Sequence, residues 1–232
     1  MRLFQVIFLC GSFLAAGAQN LAFQQADSLF DQQKYTEAFE LYQNIYNDNQ
    51  ASSAMLLKMA FIEDGLGNYP EALFYLDQYY IKSADRQVIG KIEELAEANS
   101  LRGFKYDDTD YFTILLKKYK GQLLLLFTAL ALMLGAYVYR KSKEEEKPFA
   151  AGILQFMLVA LILLLNNLNP APDGIIMYDN TLLRSGPSAG AEPVEIISRG
   201  HKMKVIDQDE VWSKVLWDGQ EVYIRNGRIK VI

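Results

Sequence analysis

The sequence predicts a multidomain membrane protein of three parts: an all-α repeat solenoid, a two-helix transmembrane hairpin and a small all-β barrel. Three observations carry this reading. A motif around Tyr35 returns around Tyr69, an offset of 34 residues. Two stretches without a charged side chain, Gly121–Tyr139 and Phe149–Leu168, are separated only by a short charged loop. After Asp173 the texture changes to short alternating runs punctuated by turn residues.

The first element is an export signal, residues 1–18. Met1-Arg2 precedes an apolar run, Leu3–Ala16, and Ala16-Gly17-Ala18 supplies small residues at the cleavage position. The other reading of this run is an uncleaved anchor or a first core helix. Cys10 is the only cysteine and lies inside it, so the remainder of the chain has no disulfide, thiolate nucleophile or cysteine metal ligand. Residues 19–120 hold ten Lys and Arg against sixteen Asp and Glu, and residues 173–232 hold eight against nine. Neither segment has the basic excess of a nucleic-acid binder.

Residues 19–103 contain the repeat. Lys34-Tyr35-Thr36-Glu37-Ala38 returns as Asn68-Tyr69-Pro70-Glu71-Ala72, and Ala26 returns as Ala60. Small residues where helices cross, at a fixed period of this length, are the signature of stacked helical hairpins. The segment resembles the tetratricopeptide repeat: Ala26, Ala38, Ala60 and Ala72 match its small positions, Tyr35 and Tyr69 its turn-following tyrosine, and Gly67 its turn glycine. Gln33 stands where the first copy would have that glycine. Arg86–Ser100 reads as an amphipathic capping helix, with Val88, Ile89, Ile92, Leu95 and Ala96 on one face.

The resemblance implies a concave peptide-docking face built from Phe23, Asp27, Phe30, Asp31, Leu57, Phe61 and Asp64. No Lys or Arg is among these residues, so an apolar or basic partner segment is expected rather than a C-terminal carboxylate. The other reading is that Phe23, Phe30 and Phe61 pack against neighbouring helices.

Residues 104–120 are read as a juxtamembrane amphipathic helix. Asp107-Asp108-Thr109-Asp110 can cap its start, and Tyr111, Phe112, Leu115, Leu116 and Tyr119 form one apolar stripe. It suits an interfacial helix, and equally a simple extension of the first span.

The spans are assigned to residues 121–139 and 149–168. At 1.5 Å per residue they cover roughly 28 and 30 Å, the thickness of a bilayer core. Two spans return the chain to the side it left. The loop at residues 140–148 carries four Lys and Arg, whereas Asn166–Asp173 carries none, which places the loop in the cytoplasm and both flanking segments outside. Lys117, Lys118 and Lys120 run against that tendency. Thr128, Ala131 and Gly135 line one helix face, and Gly152 and Gln155 a less apolar face of the other. No span contains an ionisable residue, so an ion pathway has nothing to be built from and anchoring is the economical role.

Residues 173–232 form the barrel. Strands are read at Thr181–Leu183, Val194–Ile197, Lys204–Ile206, Trp212–Leu216, Val222–Ile224 and Ile229–Ile232, with Asp218-Gly219 as a tight hairpin. The order Leu183-Arg184-Ser185-Gly186, Ile196-Ile197, Gly200, Met203, Val205, Trp212-Ser213-Lys214-Val215, Asp218-Gly219 resembles bacterial SH3-like (SH3b) domains. Val222-Tyr223 replaces the Gly-Trp pair usual in that family. The resemblance implies peptidoglycan, peptide or protein binding. Trp212 matches the core aromatic, while Trp217 and Tyr223 are the candidates for the ligand face.

His201 is the only histidine, follows a turn glycine and is expected at the surface. No acid–base pair, nucleophile set, phosphate cradle or metal cluster assembles from the spacing. Neither an enzyme nor a cofactor is therefore expected.

As a whole the order resembles the tetratricopeptide and SH3 membrane proteins encoded in bacterial aerotolerance (Bat-type) operons, of the E kind. That resemblance implies a scaffold on the outer face of the cytoplasmic membrane. Its implied partners are other envelope membrane proteins, namely von Willebrand A-domain and tetratricopeptide proteins, together with the lipid bilayer and no nucleic acid. The alternative is a wall-sensing protein whose SH3-like domain binds peptidoglycan.

Overall fold

The computed structural model describes residues 21–143, 149–167 and 170–232. The segment expected to be an export signal and residues 144–148 of the loop expected in the cytoplasm lie outside them. The chain forms two compact units, one comprising residues up to Lys105 together with Pro172–Ile232, the other Tyr106–Ala171.

The N-terminal part of the first unit is helical. Residues 21–31 are helical (α1), followed by α2 (Tyr35–Asn47), α3 (Ser53–Gly65), α4 (Tyr69–Ser83) and α5 (Gln87–Ala98). Both α2 and α4 begin at a tyrosine, and each is preceded by a left-handed turn residue, Gln33 at φ 62° and Gly67 at φ 77°. Ser52 caps α3 by accepting the Met55 N–H at 3.1 Å. The small residues Ala26, Ala38, Ala60 and Ala72 are all buried where the helices cross. In α5, Val88, Ile92, Leu95 and Ala96 turn inward.

The C-terminal part is a seven-stranded antiparallel sheet: β1 (Asp173–Ile176), β2 (Thr181–Arg184), β3 (Pro193–Ile197), β4 (Lys202–Gln208), β5 (Trp212–Trp217), β6 (Gln220–Arg225) and β7 (Ile229–Val231). Its order is β3-β2-β6-β5-β4-β1-β7. The six expected strands are present. β1 is additional. It carries no alternation because Ile175 and Ile176 are both fully buried: Ile176 joins the core with Leu183, Val205, Val215 and Ile224, and the strand period turns Ile175 to the opposite face. There β1 meets α4. Trp217 pairs with Gln220 across Asp218 and Gly219, whose φ values of 46° and 79° give the type I′ geometry of a two-residue hairpin.

Helices and sheet thus share one unit rather than forming two independent domains. Lys202 Nζ pairs with Asp77 of α4 at 3.0 Å, with both side chains buried. Lys230 Nζ lies 3.9 Å from the Phe74 ring centroid. Gly200, at φ 93°, packs so closely on Tyr69 and Leu101 that a Cβ there would meet Tyr69 at 2.7 Å.

The second unit pairs α6 (Asp108–Lys143) with α7 (Phe149–Asn167), both long and apolar enough to cross a membrane. The expected juxtamembrane helix is not a separate element. It continues into the first span without a break, because no proline interrupts residues 108–143 and helix-favouring Leu, Lys, Gln and Ala dominate. Asp107 caps α6, accepting the Asp110 N–H at 2.8 Å, while Asp110 Oδ2 accepts the Asp107 N–H at 3.2 Å. Gly135 on α6 faces Gln155 on α7: a Cβ there would stand 3.5 Å from the Gln155 amide nitrogen. Ala131 is buried in the same seam.

Candidate functional site

Two surfaces of the first unit carry the residues singled out by the sequence. On the helical part, Phe30, Tyr35 and Phe61 form a three-ring cluster with centroids 5.3, 5.7 and 5.8 Å apart, each pair edge to face. Phe61 is 56% exposed and Leu57 43%, so the cluster has an open apolar side. Phe23 instead packs edge-on against Tyr42 at 6.3 Å, as the packing alternative anticipates.

The three aspartates of this face are unequal. Asp27 accepts hydrogen bonds from the Tyr42 hydroxyl at 2.5 Å and from Lys58 Nζ at 2.8 Å. Burial, and then the Asp27 carboxylate, push the Tyr42 hydroxyl far above the ordinary tyrosine range. Asp64 pairs with Lys91 of α5 at 3.2 Å, and Asp31 is exposed. The face is therefore less acidic than the sequence suggested. Lys58 and Lys91 went unnoticed because they are brought in from α3 and α5, and helix spacing within a single repeat does not show them.

On the barrel, the expected roles of the two tryptophans are exchanged. Trp217 is 5% exposed. Its Nε1–H donates to Glu195 Oε2 at 2.6 Å, and the Arg102 guanidinium stacks 4.1 Å from its ring centroid. Arg102 also bridges Glu195 at 3.2 Å and Asp218 at 2.7 Å. Trp212 is half-buried on the opposite face. Parity explains the exchange: Ser213, Val215 and Trp217 share the inward face of β5, so Trp212 and Lys214 point outward. Trp217 is thus not available as a ligand platform.

Tyr223 lies on the outward face, opposite Lys214 on one side and Arg184 on the other, with Trp212 on the diagonal. Trp212 and Tyr223 are both half-buried there. Lys214 is further engaged by Glu221 at 2.5 Å.

His201 is not at the surface. It is buried edge-on against Trp217 at 5.4 Å, and its Nδ1 accepts the Arg102 backbone N–H at 3.1 Å. Burial, reinforced by the Arg102 charge, holds its pKa below the ordinary value, which keeps the ring neutral and able to accept. Arg102 thus approaches the His201–Trp217 face with both backbone and side chain. The signal available in the sequence was Gly200-His201 following a turn, a place where only glycine tolerates the approach of Tyr69.

Among the described residues no group of three or more His, Cys, Asp and Glu could hold a metal ion. No curated protein and no solved structure matches the chain. A family model described as a bacterial SH3 domain matches residues 179–230, the span from the turn before β2 into β7. The C-terminal antiparallel all-β domain thus matches the bacterial SH3 family from the turn before β2 onward, joined to a helical region and accompanied by two apolar helices.

Proposed function

We propose that the chain is a membrane-anchored, non-enzymatic adaptor. It holds a tetratricopeptide docking surface and an SH3-like domain on the outer face of the cytoplasmic membrane, within an envelope stress-tolerance complex. The observation that carries this reading is the open apolar side of the Phe30–Tyr35–Phe61 cluster beside exposed Leu57. The tetratricopeptide assignment is supported by the four buried alanines and by the turn conformation that Gln33 shares with Gly67. With Asp27 and Asp64 paired internally, the fitting ligand is an apolar segment, and the implied partners are von Willebrand A-domain and tetratricopeptide membrane proteins.

A photo-crosslinking residue at position 61, in native membranes, is expected to give a discrete adduct with another envelope protein that Leu57→Glu abolishes. Absence of any adduct, or an adduct indifferent to Leu57→Glu, contradicts the docking role.

A second reading, peptidoglycan binding, is supported by the outward Trp212 and Tyr223 beside Lys214 and Arg184 on the SH3 domain. Under it, detergent-solubilised full-length protein is retained by purified sacculi, and Trp212→Ala removes the retention. Because barrel and helices share buried contacts, the full chain is the proper reagent.

A further inference from the structure

Trp217 is covered by a group that can leave. The Arg102 guanidinium lies 4.1 Å from its ring centroid and is held there by Glu195 and Asp218. The Arg102 side chain is nevertheless 47% exposed, so it can reach solvent without rearranging the strands beneath it. Two backbone bonds fix the same residue. Its carbonyl accepts from the Lys202 N–H at 3.0 Å, where Gly103, at φ 98°, packs against the Lys202 carbonyl. Its N–H donates to His201 Nδ1 at 3.1 Å. The first bond does not titrate. The second depends on a lone pair that exists only while the imidazole is neutral.

Protonation changes both sides of this contact. An imidazolium carries N–H on both nitrogens, so the Arg102 N–H would face a donor instead of an acceptor. The new charge also stands beside the guanidinium, because the His201 ring and Arg102 pack on the same indole, at 5.4 Å and 4.1 Å. The charged groups facing the ring are Arg102 from the segment after α5, Glu195 of β3 and Asp218 of the β5–β6 turn. Lys202, next in the chain, is engaged by Asp77 of α4 and Asp173 of β1, and Arg199 by Asp179 and Tyr69. Glu195 and Asp218 thus serve one cation at neutral pH and two in acid, where the imidazolium takes over part of the pairing that retains Arg102.

We propose that His201 is an acid-operated latch on Trp217. Its neutral ring keeps Arg102 over the indole. Its imidazolium releases the Arg102 N–H and guanidinium, which swing away about the carbonyl attachment to Lys202 and open that indole face, with Glu195 and Asp218 beside it, to solvent. Trp217, a ligand-face candidate in the sequence, is withheld at neutral pH and offered in acid. The latch is independent of the Phe30–Tyr35–Phe61 face and of the side of the membrane on which the domain lies.

The test uses the full chain in detergent with Trp212→Phe, which leaves Trp217 as the only tryptophan. His201 is the only histidine, so nitrogen-15 labelling of histidine gives one imidazole and reads its titration directly. Nδ1 should be unprotonated at neutral pH, and the midpoint should lie below 6.5. Acrylamide quenching of Trp217, referred to its fluorescence lifetime, should be weak at neutral pH and rise several-fold with the same midpoint, while far-ultraviolet circular dichroism holds constant. His201→Asn, whose Oδ1 takes the place of Nδ1 and accepts at every pH, should keep quenching weak throughout. Arg102→Ala should give strong quenching already at neutral pH and remove the pH step. The latch is overturned by quenching that ignores the imidazole titration, by an equal rise in His201→Asn, or by a rise that accompanies loss of helix. Should His201→Asn not fold, a pH step in Arg102→Ala as large as in the parent chain overturns it equally.

Discussion

Asp77 and Lys202 form a buried pair whose two members come from the helical region and the SH3 domain. Such a pair is costly to break singly, because the survivor is left charged and out of water, Lys202 keeping only the longer contact with half-buried Asp173 at 3.5 Å. Asp77→Ala should therefore lower stability by about 3–5 kcal/mol, whereas Asp77→Leu combined with Lys202→Met should be close to neutral. Thermal unfolding of the full chain in detergent, followed through the tryptophans, measures both. His201 makes a second residue-level prediction. It is packed against Trp217 and faced by Arg102, Glu195 and Asp218, and its folded pKa is depressed from 6.5. The unfolded chain therefore takes up the proton first as pH falls. Stability is fully present above about pH 6.5 and declines below it, and His201→Gln should flatten that decline. Gln33 holds a left-handed conformation usually left to glycine, so Gln33→Gly should raise stability by about 0.5–1 kcal/mol, read as an upward shift of the unfolding midpoint.

At the level of elements, what was legible followed from local pattern and what was not followed from contacts far apart in sequence. The 34-residue offset placed α2 and α4, and Asp218-Gly219 placed the β5–β6 hairpin, because turns and helix starts are written in adjacent residues. β1 escaped notice because burial on both faces erases alternation. Lys202 lies just before the strand expected at Lys204–Ile206, and nothing near it in the chain says that α4 covers its side of the sheet. His201 was misjudged for the same reason, since Arg102, which seals it, precedes it by 99 residues, whereas the exchange of Trp212 and Trp217 follows from parity within β5. These junction elements can be tested through Gly200. Gly200→Ala places a methyl group 2.7 Å from Tyr69 at φ 93° and should cost about 2 kcal/mol or more. Ile175→Ala, which empties the site behind β1, should cost about 2–5 kcal/mol. Either change loosens the junction without touching the Phe30–Tyr35–Phe61 face, so adduct formation at position 61 should persist below the unfolding temperature.

On the scale of the whole molecule, the helices and the SH3 domain are one unit entered twice by the chain. Both connections to the hairpin are bonded to β4: the Arg102 carbonyl accepts from the Lys202 N–H at 3.0 Å, and the Pro172 carbonyl accepts from the Val205 N–H at 2.8 Å. The central claim is that the hairpin carries this composite unit on the outer side of the cytoplasmic membrane. Paired reporter fusions test it most directly. A reporter after Lys143 should be active only as a cytoplasmic fusion and one after Ile232 only as an exported fusion, whereas the reverse pattern, or the same side for both, would contradict the account.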